Sequence, residues 1–111
     1  MKRSDATKIS TKVRSDVMAR DKGRCIVCGT SYNLQCAHIF INRSHGGMGV
    51  VENLAMLCVS CHTKLDNGLK KYSEPISLIA KSYLKHKYPN LDELKLKYQK
   101  GVQHVPSSFR K

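Results

Sequence analysis

The sequence predicts a small α+β domain, and three observations predict it. Two Cys-x-x-Cys pairs, Cys25/Cys28 and Cys58/Cys61, are separated by 29 residues. The segment between them is rich in Tyr, Leu, Ile and Phe and is broken by a glycine-rich loop, so a strand, a turn and a second strand fit inside it. Apolar residues recur at helical spacing before the first pair and after the second.

The elements follow in order. Residues 1–9 read as frayed and solvated. Ser10 or Thr11 caps a basic helix running to about Lys22, with Val13 and Val17 on one face, Lys12, Arg14, Asp16 and Arg20 on the other, and Gly23 as its stop. Cys25 to Gly29 is a tight turn, and Tyr32 to Ile41 is a strand. Asn42 to Gly49 is the loop, after which Val50 and Val51 start the second strand that leads into Cys58. A helix begins near Ser60 and carries His62, Leu65, Asp66 and Leu69. Ser73 caps the next helix, with Pro75 in its first turn, where a missing N–H costs nothing, and Pro89 ends it. Asn90 and Glu93 form a capping-box start for a last helix with Leu91, Leu94 and Tyr98 on one side and Gly101 as its stop; the tail from Val102 is loose. The finger core spans about 24–70 and a helical C-terminal extension about 73–101, within one domain of residues 1–111.

Charge narrows the function. The 111 residues carry 20 Lys+Arg against 8 Asp+Glu, a net charge of +12, which asks for a polyanionic partner. Hydrophobic residues make up 41%, which excludes a disordered basic tail. The cations are segregated. Residues 1–24 hold 8 Lys/Arg and 3 Asp/Glu, residues 62–111 hold 11 and 4, and the centre holds only Arg43 and Glu52. The arms thus supply phosphate attraction and the neutral centre is left for chemistry. Arg43 is a candidate phosphate contact, with His45 beside it and Lys12, Arg14 and Arg20 on the basic helix.

With 0 Trp and 2 Phe, so short a chain needs a staple. No apolar run is long enough to span a membrane, and no apolar signal-peptide core follows the N-terminus. The expected compartment is therefore reducing, and there paired cysteines hold metal more often than they form disulfides. Each Cys-x-x-Cys knuckle offers two thiolates, and four thiolates leave no open position, so the expected ion is a structural Zn2+. Cys36 reads as a small buried apolar residue, and His86 and His104 as surface residues.

Between and beside the cysteines lie Gln35-Cys36-Ala37-His38-Ile39, Gly46-Gly47, Asn53-Leu54-Ala55-Met56-Leu57-Cys58 and Cys61-His62. This order resembles the HNH endonucleases, which are ββα-metal (His-Me finger) nucleases, in the subgroup held by two Cys-x-x-Cys pairs. The resemblance covers about residues 11–69, including the run Val13-Arg14…Arg20-Asp21-x-Gly23-x-Cys25. It implies a ββα-metal finger with structural zinc, an N-terminal basic helix and two C-terminal helices. It also implies a metal-dependent endonuclease that hydrolyses phosphodiester bonds of double-stranded DNA by nicking or double-strand cleavage. His38 matches the general base, Asn53 the residue that braces the loop and orients that base, and His62 a ligand of a catalytic Mg2+, Mn2+ or other divalent cation. Many relatives carry Asp or His just before the base, where this chain has Ala37; Asp66, one helical turn after His62, reads either as the missing ligand or as a solvated helix carboxylate pairing with Lys70. The implied setting is the cytoplasm of a bacterial or phage-infected cell. The implied protein is a monomer or homodimer, with phage packaging, homing or restriction systems as partners and no membrane. The alternative is a zinc-stabilised DNA-binding module without catalysis, for which Ala37 is the best argument. A redox or zinc-storage protein explains the thiols but neither the charge nor the histidines.

Overall fold

A computed structural model describes residues 3–98. Its elements are α1 (Arg3–Thr7), α2 (Thr11–Arg20), β1 (Leu34–His38), β2 (Leu54–Cys58), α3 (Val59–Asn67) and α4 (Lys70–Lys87), with 3-10 turns at Arg43–His45, Val51–Asn53 and Glu93–Leu96. β1 and β2 form an antiparallel pair running from Leu34↔Cys58 to His38↔Leu54, and α3 follows β2 directly. This is a ββα arrangement.

β2 is buried along its whole length, so both of its faces need cover, and its alternation supplies it. Leu54 and Met56 pack with Val13 and Val17 of α2. Ala55 and Leu57 pack with Ala37 of β1 and with Ile76, Ala80 and Leu84 of α4. The hairpin is therefore sandwiched between the basic helix and the long C-terminal helix. A third cluster, Ala6, Met48, Val50 and Leu96, joins the chain before α2, the glycine loop and the segment after α4.

The Ser10 cap is present, with its hydroxyl accepting from Val13 N at 3.1 Å. α2 ends at Arg20, two residues before the expected Lys22, because Asp21 turns inward and its carboxylate accepts from Met56 N of β2 at 2.8 Å. Lys22 and Gly23 then take left-handed conformations that close the helix.

Other expectations are corrected. Residues 3–7 are helical, and Ala6 and Thr7 are buried rather than frayed. β1 is shorter than the expected run from Tyr32 to Ile41. Val50 packs into the third cluster and Val51 opens a 3-10 turn, so β2 starts only at Leu54. Leu69 does not extend α3. It precedes α4, and its carbonyl accepts from Tyr72 N and Ser73 N, closing the first turn before Ser73. Pro75 consequently sits one turn deeper than expected, on an exposed face where water can reach the carbonyl it leaves unbonded. The last helix is a single 3-10 turn capped by Asp92, which accepts from Leu94 N at 3.0 Å, rather than by Asn90. Leu96 is buried in place of Leu94, since the altered backbone changes which side chains share a face. The expected stop at Gly101, the loose tail and His104 lie outside the described residues.

Beneath α2, a buried ion pair ties three elements together. Arg20 Nε and Nη2 donate to the two oxygens of Asp21 at 2.7 and 3.0 Å. Its other contacts are Val51 O at 2.7 Å, Leu54 O at 2.6 Å and the Tyr88 hydroxyl at 3.2 Å. Tyr83 donates to Asp21 Oδ1 at 2.6 Å. Burial works against the Arg20 charge, but the Asp21 and Tyr88 hydrogen bonds more than reverse it and raise its pKa. Asp21→Asn leaves this guanidinium buried beside a neutral amide. It should cost about 3–5 kcal/mol, the usual effect of removing one partner of a buried pair. Urea unfolding checks this; an unchanged midpoint would show that the pair contributes no stability.

Candidate active site

The two cysteine knuckles converge. The ligand atoms of Cys25, Cys28, Cys58 and Cys61 all lie within 4.8 Å of one another. Cys28 Sγ and Cys58 Sγ are 3.6 Å apart, close to the edge of about 3.8 Å for a tetrahedron with Zn–S arms of about 2.3 Å. Local backbone builds each knuckle. Gly29, in a left-handed conformation, donates to Cys25 O at 2.9 Å, and Cys25 N reaches Thr30 O at 2.8 Å. Cys58 precedes α3, and its Sγ accepts from Cys61 N at 3.4 Å. Burial pushes the Cys25 thiol up, but backbone N–H groups of Cys28, Cys58 and Val27 outweigh it and bring it down to about 7. Cys61 moves the opposite way, pushed up by burial and by hydrogen bonds with Cys58 and Cys25. Thiolates this close resist one another's ionisation, and a dication removes that resistance. The donor set fits structural zinc.

A cavity of about 380 Å3 is lined by Cys36, His38, Asn42, Arg43, Ser44, His62 and Asp66. β1 delivers His38 as its last residue, and α3 delivers His62 and, one turn on, Asp66. His38 Nε2 lies 3.1 Å from Thr7 O. A carbonyl only accepts, so Nε2 carries the proton and Nδ1 is left as the ring's proton acceptor. Burial lowers the His38 pKa below its ordinary value, and the Arg43 and His62 charges push the same way; the Thr7 carbonyl and Asp66 only partly oppose them. The shift favours the neutral imidazole of His38.

His62 Nδ1 lies 2.7 Å from Gln35 Oε1, and Nε2 lies 3.0 Å from Asp66 Oδ2. An imidazole nitrogen and a carboxylate oxygen at that separation match the edge of an octahedron with arms of about 2.1 Å. The pair fits a hard divalent cation. Ala37 does not face this corner. It is fully buried opposite Ala55, in the core shared with α4, and its methyl group offers no ligand atom.

Asn53 is fully buried and makes four side-chain hydrogen bonds. Its Oδ1 accepts from Phe40 N at 2.9 Å and Ile41 N at 3.2 Å, and its Nδ2 donates to Ile41 O and Met48 O at 3.1 Å each. It clamps both ends of the glycine loop. It does not touch the His38 ring, which Thr7 orients instead. The loop is pinned from outside as well, through Gly49 N to Ala6 O, Met48 N to Leu96 O and Tyr98 N to Gly46 O. Gly47 is required there, because a Cβ would overlap the Ile41 carbonyl.

Among the expected DNA contacts, Arg43 is exposed at the cavity rim and His45 is exposed beside a second cavity that shares Asn42 and Asp66 with the first. Lys12 and Arg14 are exposed on α2, with Lys12 paired to Asp16 at 3.0 Å. Arg20 is corrected. Its side chain is 12% exposed and engaged internally, so it is not available to a phosphate. Cys36 is half-buried at the cavity wall, where burial pushes its thiol up to about 11, and His86 is exposed.

Three contributors escaped the sequence reading. Thr7 acts through a carbonyl, which carries no residue signature. Gln35 was visible, but nothing marked it as facing His62. Asp21 sits beside a cation and reads as an ordinary surface pair. Removing residues 1–9 would take away Lys2, Arg3 and Lys8 and, with them, the Thr7 carbonyl that meets His38 Nε2.

The model for the family "HNH endonuclease" matches residues 25–68, which contain both knuckles, His38, Asn53, His62 and Asp66. The chain belongs to the HNH endonuclease family. A curated relative, Anaredoxin of Nostoc sp. (strain PCC 7120 / SAG 25.82 / UTEX 2576), is 33% identical to this HNH chain over 57 residues, 51% of this chain and 75% of that one. Among solved structures, the Type IV phosphorothioation-dependent restriction endonuclease ScoMcrA matches with a TM-score of 0.56 at 22% identity. That match covers 76% of this chain and 21% of the ScoMcrA chain, so what is shared is the fold of a fifth of that chain. α4 lies outside the family match, yet it covers one face of the hairpin and supplies Tyr83 to the buried ion pair, with Tyr88 just past its end. No described helix is long and apolar enough to cross a membrane.

Proposed function

We propose that this HNH protein hydrolyses phosphodiester bonds of duplex DNA with the help of one divalent cation. The observation that carries the reading is the single cavity onto which His38 and the His62–Asp66 pair open, with Arg43 at its rim. His38, neutral and held through Nε2, takes a proton from water at Nδ1 as the oxygen attacks phosphorus, leaving a 5′ phosphate and a 3′ hydroxyl. Asn53 keeps the loop carrying Arg43 in register with β1, and Arg43 positions a phosphate. His62 and Asp66 would hold Mg2+ or Mn2+, which supplies positive charge for the scissile phosphate and the leaving oxygen. The four cysteines would hold a structural zinc. The strongly basic sequence supplies the affinity for DNA. A redox reading accounts for the thiols but leaves the histidine cavity and the charge unexplained.

The test is nicking of supercoiled plasmid in Mg2+ or Mn2+, with EDTA as control. Nicked circles that vanish with EDTA support the reading; tight binding without nicking would make the protein a DNA-binding module. Binding itself should be electrostatic and nearly independent of sequence. If about six phosphates are neutralised, affinity should fall by about three orders of magnitude between roughly 50 and 200 mM salt. Fluorescence anisotropy on two unrelated duplexes measures this, and a flat salt response would remove the electrostatic argument.

A further inference from the structure

The hydrogen bond from Gln35 to His62 reaches between two elements. Gln35 lies on β1 and is exposed, three residues before His38; His62 lies on the first turns of α3. Side chains on a strand alternate, so Gln35 stands on the same side as Ala37, the face turned toward α3. Ala37 cannot enter the cation corner, but Gln35 reaches the back of the ring that does.

The geometry points to Gln35 as the positioning residue that keeps His62 Nε2 free for a divalent cation. An amide oxygen only accepts, so Gln35 Oε1 at 2.7 Å fixes the proton on Nδ1. Nε2 is then the nitrogen open to a cation, beside Asp66 Oδ2 at 3.0 Å, a separation that suits an N–H···O contact without metal and two ligands of one cation with it. Without Gln35 the neutral ring can take the opposite tautomer, in which Nε2–H donates to Asp66. That tautomer joins the same two atoms by a hydrogen bond and closes the corner to a metal. Gln35 therefore opposes a competing contact between two side chains one helical turn apart, as well as aiming the ring. Acceptors placed behind ligating histidines typically change metal affinity by about 10–100-fold.

This inference rests on the proposed nuclease reading for its cation, but its readout is binding and not cleavage. The experiment titrates the zinc-loaded, DNA-free protein with Mn2+ and follows the free ion by electron paramagnetic resonance. Gln35→Met, which keeps length but cannot accept from Nδ1–H, should weaken Mn2+ binding by about 10–100-fold. Gln35→Glu, which accepts at the same position, should stay within a few-fold of the native protein. Because Gln35 is exposed, both variants should keep their circular dichroism and zinc content. The 15N shifts of the His62 ring add a second readout. In the native protein and Gln35→Glu they should report the Nδ1-protonated form, and in Gln35→Met a shift toward the Nε2-protonated form. Unchanged Mn2+ binding in Gln35→Met, or Gln35→Glu binding as weakly as Gln35→Met, would overturn the inference. So would native Mn2+ binding that ignores His62→Ala. A protein that shows the expected binding pattern but never nicks plasmid would sink the nuclease reading and leave the role of Gln35 standing.

Discussion

His38→Ala should be a folded, zinc-loaded protein that binds DNA normally and nicks it about 10²–10⁴-fold more slowly, the usual contribution of a positioned general base. The mutation removes the His38 hydrogen bond from the buried Thr7 carbonyl, a cost of about 1–3 kcal/mol, so the fold should be kept with a modest loss of stability. His62 and Asp66, the proposed cation ligands, and the four cysteines are untouched. The pH dependence has a definite sign. Only the neutral imidazole accepts a proton, and burial lowers the His38 pKa. Native activity should therefore be fully developed above the ordinary histidine value of about 6.5 and decline only at lower pH, as the ring becomes protonated. That acid limb should be absent from the residual activity of His38→Ala. Initial nicking rates across pH check both points, and near-normal cleavage by the variant would show that another group is the base.

Cys58→Ser should have the larger effect on the protein as a whole. Cys58 ends β2 opposite Leu34, precedes α3 and is one of four converging sulfurs. Serine retains an oxygen that can cap the helix, so the substitution isolates the role of the thiolate. Structural zinc in a small finger contributes about 10–16 kcal/mol of apparent binding energy. Domains of this size have only about 5–15 kcal/mol of net stability. Losing the metal should therefore unfold the hairpin and α3, with loss of helical circular dichroism, of zinc by elemental analysis, and of all nicking. A folded, metal-free Cys58→Ser protein would contradict a structural role for zinc.

The parts legible in the sequence were those fixed by spacing. Cys-x-x-Cys repeated around a strand–loop–strand segment specifies a closed metal site because the knuckle geometry is local. Ser10 was legible because a cap needs only its own hydroxyl and the next N–H groups. His38, Asn53 and His62 could be placed by their order, and the fold brings His38 and His62 onto one cavity with Asp66. What the sequence hid was carried by tertiary contacts. Arg20 looked like every other cation on α2 until Asp21 and Tyr88 took it inward. Thr7 contributes a main-chain oxygen that any residue would offer, and only the packing of Ala6 against Met48 and Leu96 brings it to His38. The final helix failed for a related reason. The segment after α4 forms its main-chain bonds with the glycine loop, and these compete with continued helix.

The Arg20–Asp21 pair bears on how this finger can be moved between proteins. A graft limited to residues 25–68 would carry the four cysteines, His38, His62 and Asp66 and leave behind Arg20, Asp21, Tyr83 and Tyr88. In the recipient, Met56 N would lose the Asp21 carboxylate, and the carbonyls of Val51 and Leu54 would lose the Arg20 guanidinium. Met56 N and the Leu54 carbonyl would then need new partners, at about 1–3 kcal/mol for each one left buried and unsatisfied, whereas the Val51 carbonyl keeps the Leu54 N–H. The transplantable unit is therefore bounded by α2 and α4. A chimera built to those limits should fold in a foreign host where a shorter insert fails.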